Sequence, residues 1–218
     1  IRGYAELYRR GATTPEHVDR SFDRIEHEAT RMGGLVDDLV LLATLDEERP
    51  FSRVRVNMLA TAEEALADAR AIEPDRPLAL EVSTDEVSVE GDADRLRQVL
   101  VNLLGNVREH TDPGTPATSR ISRDGRFLVL AVVDEGPGMQ PIDSDRAFER
   151  FYQSGSDRAT PGSGLGLSIV RAIVESHGGD VAIESTLKKG TAVTVRLHLA
   201  ATRDPDADTH PGPQHPRH

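Results

Sequence analysis

The chain has 218 residues, 37% of them apolar, enough for the core of one ordinary domain plus a smaller helical piece. Its 37 acidic and 26 basic residues leave a net charge of −11, so no nucleic-acid partner is expected and a phosphate ligand would have to be held locally. The absence of cysteine excludes disulfides, thiolate metal sites and thiol nucleophiles and suits a reducing, cytoplasmic setting. No run approaches the roughly 18 apolar residues of a membrane span, so these residues are expected to make no membrane contact. The chain opens at Ile1, inside what reads as a helix, and is expected to be a piece of a longer or processed protein.

From Pro15 to about Leu45 the apolar residues Val18, Phe22, Ile25, Ala29, Met32, Val36 and Leu39 recur at steps of four and three. That is the seam of packed helices, and it predicts one long helix. Ile1 to Arg10 reads as the end of an earlier helix, turned back at Gly11 to Thr14, with Pro15 opening the second. Two helices bury too little alone, so a homodimer forming a four-helix bundle is expected, with a hairpin packed on its own chain as the alternative. Glu47-Glu48-Arg49-Pro50 breaks the helix and places a domain boundary near residue 50. The expected units are the helical piece 1–49, a second domain 50–200, and a disordered tail 201–218 rich in proline, histidine and aspartate.

Val54 to Val56 alternate as a short strand, and Asn57 is placed to cap a helix reaching about Ile72. Strands are predicted at 78–82 and 87–90, a helix at 92–110, strands at 118–122 and 127–133, a helix at 164–177, and strands at 181–185 and 191–199. Strands and helices that do not strictly alternate predict an α+β fold, a two-layer sandwich with helices on one face of a mixed sheet.

Three segments carry chemistry. In the helix at 92–110, Leu96, Val99, Leu100, Leu103 and Val107 share one face, while Asn102 and Asn106 project together one turn apart. Their amide oxygens suit a hard cation such as magnesium or a phosphate-bound water, although the pair in isolation reads better as ordinary surface or capping asparagines. Asp134-Glu135-Gly136-Pro137-Gly138 follows an apolar strand. A carboxylate there can accept a purine's exocyclic amine beside glycines that admit a flat ring, and alone the segment is simply a turn. Gly162-Ser163-Gly164-Leu165-Gly166-Leu167 opens an apolar-periodic helix whose exposed N–H groups form a phosphate site. Its context fits neither a dinucleotide fingerprint nor a P-loop.

With Phe148-Glu149-Arg150-Phe151-Tyr152 between the glycine clusters, these segments resemble, in order, the N, G1, F and G2 boxes of sensor histidine kinases of two-component systems. The resemblance runs nearly to residue 200 and includes Arg31 to Leu39, similar to the second helix of the family's dimerisation and phosphoacceptor bundle. It implies the GHKL, or Bergerat, ATP-binding fold, with ATP and Mg²⁺ as ligands. By position, Asp134 would contact adenine, Asn106 would ligate Mg²⁺, and Asn102 would join it at the catalytic end. Gly162, Gly164 and Gly166 would shape the phosphate end and Thr191 would support adenine. The stretch from about Met139 to Ser163 would be a mobile lid, with Arg150 and Arg158 as candidate phosphate contacts. His110, Gly136, Gly138, Leu165 and Leu167 complete the implied ATP site.

Related ATPases place a water-activating glutamate one turn before the metal asparagine, where this chain has Asn102. An amide is no general base, so the pattern implies a kinase rather than a hydrolase. Two departures stand out. Glu109 occupies a position where the family usually has Lys or Arg, and Arg108 is expected to point about 100° away from it on the helix. The family's phosphorylated histidine, in a His-Glu-x-x-x-Pro pattern, would lie about nine residues before Ile1, and His27-Glu28 lacks the proline. The implied function is ATP-dependent transfer to a histidine outside these residues, then to a response-regulator aspartate. A non-catalytic nucleotide-binding or dimerisation module, or an ATPase of the same fold, are the alternatives.

Overall fold

The computed structural model describes residues 15–46, 53–153 and 163–201. The expected first helix and its turn, the boundary near residue 50, Arg158 and Gly162, and the tail from 202 onward lie outside the described residues.

The seam of threes and fours forms helix α1 (Pro15–Asp46). Strand β1 (Val54–Asn57) leads into α2 (Met58–Ile72), where the Asn57 side chain accepts from the N–H groups of Leu59 and Ala60 at 3.0 and 3.2 Å. Strands β2 (Leu78–Val82) and β3 (Ser88–Gly91) follow, then α3 (Ala93–His110), capped by Asp92. Next come β4 (Ala117–Asp124), β5 (Phe127–Asp134), a short α4 (Pro141–Arg146), α5 (Gly166–Ser176), β6 (Asp180–Thr186) and β7 (Gly190–His198). The helical turn α4 falls inside the stretch read from sequence as a mobile lid, where no helix is predicted. Six residues opened by Pro141 are too few for an apolar period to register.

The sheet runs β2-β4-β5-β7-β6, with β2 parallel to β4 and all other pairs antiparallel, while β1 and β3 pair separately. This is the mixed sheet of the expected α+β sandwich. Along β5 the buried residues are Leu128, Leu130, Val132 and Asp134, alternate positions on one face. They meet Leu197, Val195, Val193 and Thr191 of β7 in register. The core therefore lies between that face and the apolar sides of α3 and α5, Leu96, Val99, Leu100 and Leu103 on one helix, Ile169, Val170, Ile173 and Val174 on the other. Leu42 and Leu45 bring the end of α1 into the same cluster. Each such buried side chain contributes roughly 1.5–3 kcal/mol.

His177 joins the two site-bearing helices. Its Nδ1–H donates to the Ile173 carbonyl at 2.7 Å, and its Nε2 accepts from the Asp92 N–H at 3.0 Å, at the start of α3. No described helix is long and apolar enough to cross a membrane.

Candidate functional site

A cavity of about 990 Å³ opens between α3, the start of α5, the segment 137–153 and the ends of β5 and β7. Its deep end is built by strand register. The period of two that buries Leu130 and Val132 carries Asp134 to the same face, opposite Thr191, which in turn faces Ser185 on β6. Three apolar rows thus end in one polar rung, Asp134–Thr191–Ser185. Asp134 is only 9% exposed. Burial raises its carboxyl above the ordinary range, while the N–H groups of Gly136 and Thr191 and the charges of Arg76 and His110 pull it back toward the ionised form. The Gly136 N–H lies 2.8 Å from Oδ1. Ser185 Oγ accepts from the Met139 N–H at 2.8 Å and lies 2.9 Å from Thr191 Oγ1, tying the start of the segment after the glycine turn to the rung.

Close main-chain approach shapes this end. Gly138 has φ +64, and a Cβ there would stand 2.0 Å from the Thr186 carbonyl oxygen. Gly190 has φ +95, and its Cβ would meet the Asp134 carbonyl oxygen at 1.8 Å. No L-residue with a side chain fits either position without main-chain movement.

At the other end, Asn102 and Asn106 both line the cavity beside Gly164, Gly166 and Leu167. Asn102 Nδ2 donates to the Gly166 carbonyl at 3.3 Å, and its Oδ1 accepts from Gln98 Nε2 at 2.9 Å. Asn106 Nδ2 is buried without a partner, and a Cβ on Gly166 would lie 3.3 Å from Asn106 Oδ1. That amide is thus uncommitted and pressed against the start of α5. Helix α5 begins with no side-chain cap, leaving its first N–H groups to the cavity end. No described cluster of three His, Cys or acidic residues forms a protein-only metal cage. The amide oxygen of Asn106, rather than its unpartnered nitrogen, is the atom that suits a hard cation whose other ligands are phosphate oxygens and water.

His110 lines the cavity and Gly136 sits just behind it, bonded to Asp134. Leu165 is fully buried in the core, and Arg150 is exposed and is not among the lining residues. Arg108 and Glu109, successive residues of α3 and so about 100° apart around it, both line the cavity and pair at 3.9 Å, because the cavity wraps around the end of that helix. Residues not assigned to the site from sequence include Gly34, Leu35 and Asp38 of α1, which line the cavity, and Ser185 and Gln98, which reach it through Thr191 and Asn102. Partial burial, and then Asp37 beside it, raise the Asp38 carboxyl. Only strand pairing and helix docking bring these residues to the site, so no local signal marks them. Within the segment after β5, the Tyr152 hydroxyl donates to Asp143 at 2.7 Å under the Arg146 guanidinium, 4.3 Å from the ring centroid.

Residues 91–201 match the family described as Histidine kinase-, DNA gyrase B-, and HSP90-like ATPase. Over 201 residues the chain is 42% identical to a probable sensor histidine kinase, TcrY, of Mycobacterium tuberculosis, covering 91% of this chain and 42% of that protein. It therefore spans less than half the length of that curated relative. Among solved structures, the Acinetobacter baumannii histidine kinase AdeS superposes with TM-score 0.73 at 21% identity, covering 91% of this chain and 92% of that one, a likeness of fold. Full-length ShkA in complex with AMPPNP superposes with TM-score 0.70 at 28% identity, covering 87% and 40%. With the match over 91–201 spanning just over half of the 218 residues, the chain belongs to the histidine kinase-, DNA gyrase B- and HSP90-like ATPase family.

Proposed function

We propose that this chain is the ATP-binding core of a sensor histidine kinase, presenting the γ-phosphoryl of Mg-ATP to a histidine, from which it passes to a response-regulator aspartate. The polar rung would read the base: Asp134 accepts the adenine amine, with Thr191 and Ser185 closing the row. Asn106, with its uncommitted amide, would hold Mg²⁺ at the phosphates, and the uncapped start of α5 at Gly166 and Leu167 would take phosphate oxygens. Gly162 and the lid arginines Arg150 and Arg158 would close over that end. Magnesium, when bound, neutralises phosphate charge and orients the transferring group. The AMPPNP bound to ShkA supports an adenine nucleotide in a cavity of this fold.

The observation that carries the kinase reading is the state of Asn102. Its amide spans Gln98 and the Gly166 carbonyl and offers no proton acceptor where an ATPase of this family needs one to activate water. ATP would survive until a stronger nucleophile arrives. Such a nucleophile comes from a helix bearing the His-Glu-x-x-x-Pro pattern, absent from the 218 residues. Residues 1–49 would form the helical piece and 50–200 the catalytic unit. Phe22, Met32, Val36 and Leu39 of the α1 seam are exposed, in keeping with pairing to a second copy.

The test supplies a histidine-bearing helical fragment of that pattern with γ-labelled ATP. Acid-labile label should appear on the fragment, with little phosphate released in its absence. Steady phosphate release without an acceptor would establish the ATPase instead. Nucleotide binding with no transfer would favour the second reading, a nucleotide-binding module, for which Glu109 on the cavity wall is the supporting observation.

A further inference from the structure

Arg76 lies in the segment between α2 and β2, outside every motif, yet is 6% exposed. Burying a guanidinium is costly unless its donors are engaged. Its Nε pairs with Glu73, and its Nη1 donates to Thr111 Oγ1 at 2.8 Å and to the Thr115 carbonyl at 3.0 Å. Its Nη2 is buried with no partner. Thr111 follows α3 directly and bonds back to the Val107 carbonyl at 2.6 Å. Its methyl group packs on Gly136, where an added Cβ would stand 2.5 Å from Thr111 Cγ2 and 2.8 Å from Asp134 Oδ1. Gly136 in turn donates its N–H to that same Oδ1 at 2.8 Å.

We infer that Arg76 is a positioning residue for the base-reading carboxylate: it locks Thr111 against Gly136, and Gly136 aims Asp134. The same guanidinium favours the ionised carboxylate. The forked geometry matters as much as the charge, because one planar group reaches Glu73, Thr111 and Thr115 at once, which a lysine ammonium on its flexible stem does not reproduce. The inference rests on the reading of Asp134 as the adenine contact.

A double-mutant cycle on the whole chain tests it, with ATP, ADP and GTP binding measured by calorimetry. Arg76→Met should weaken ATP and ADP equally, about tenfold, and shrink the preference for ATP over GTP. In an Asp134→Asn background the further loss should vanish. Arg76→Lys should recover only part of the affinity. Should Arg76→Met fail to fold, Thr111→Val cuts the same link while keeping the methyl group, and should weaken ATP and ADP alike, again only when Asp134 is present. Equal losses in both backgrounds, or a loss confined to ATP, would overturn the role of Arg76. An Asp134→Asn chain that binds ATP as tightly as the original would instead remove the adenine reading itself, which separates the two failures.

Discussion

Asp134 stands where a strand pattern of Leu128, Leu130 and Val132 demands another apolar side chain, and its carboxylate is kept usable by two main-chain donors and a distant guanidinium. His177 solves a different local problem. As a neutral ring it donates at Nδ1 and accepts at Nε2; protonated, it has two donors and must abandon the Asp92 N–H. Burial, its largest influence, holds its pKa below the ordinary histidine range. The unfolded chain therefore binds the extra proton first. The stabilisation is fully present above the unfolded value of about 6.5 and is lost as pH falls from there toward the lowered folded value, at up to ~1.4 kcal/mol per pH unit. Urea unfolding between pH 5 and 8 should show this fall, and His177→Gln, which keeps an acceptor that does not titrate, should flatten it. Parallel curves for the two proteins would show that this ring does not set the dependence.

Among the elements, α1 carries its own anomaly. Gly33 and Gly34 sit in mid-helix, where glycine is unfavourable by about 0.8–1 kcal/mol against alanine, and an added Cβ at either meets nothing within 4 Å. Close packing among the described residues does not require them. The helix is therefore locally weakened one turn before Asp38, beside the residues Gly34 and Leu35 that line the cavity. Replacing both by alanine should raise helix content on circular dichroism and stabilise the chain by about 1–2 kcal/mol in urea. A destabilised double variant would mean that the glycines serve a contact the free chain already makes. Elsewhere the elements follow their local signals, with Asn57 and Asp92 capping α2 and α3 as their side chains dictate.

For the molecule as a whole, α1 shares the core of the sheet domain. Leu42, 2% exposed, packs within that cluster near the end of α1. Leu42→Ala should lower stability by 2–5 kcal/mol, roughly, in a single cooperative transition. A loss under about 0.5 kcal/mol would show that α1 is a separate element lying beside a self-sufficient domain. The order of elements apart from α4, the sandwich class and the family boxes were legible in the 218 residues, because apolar periods, caps and glycine turns are properties of short stretches of chain. Ser185, Thr111 and Arg76 carry no such mark. Their places depend on which residue of β6 faces Thr191, on where α3 ends against the 134–138 turn, and on a side chain crossing from beyond α2. Sequence alone thus determined the elements and the chemistry available, whereas tertiary structure decided the company each group keeps. Strand register and helix docking join residues distant in the chain through burial and hydrogen bonds that exist only once the layers have packed.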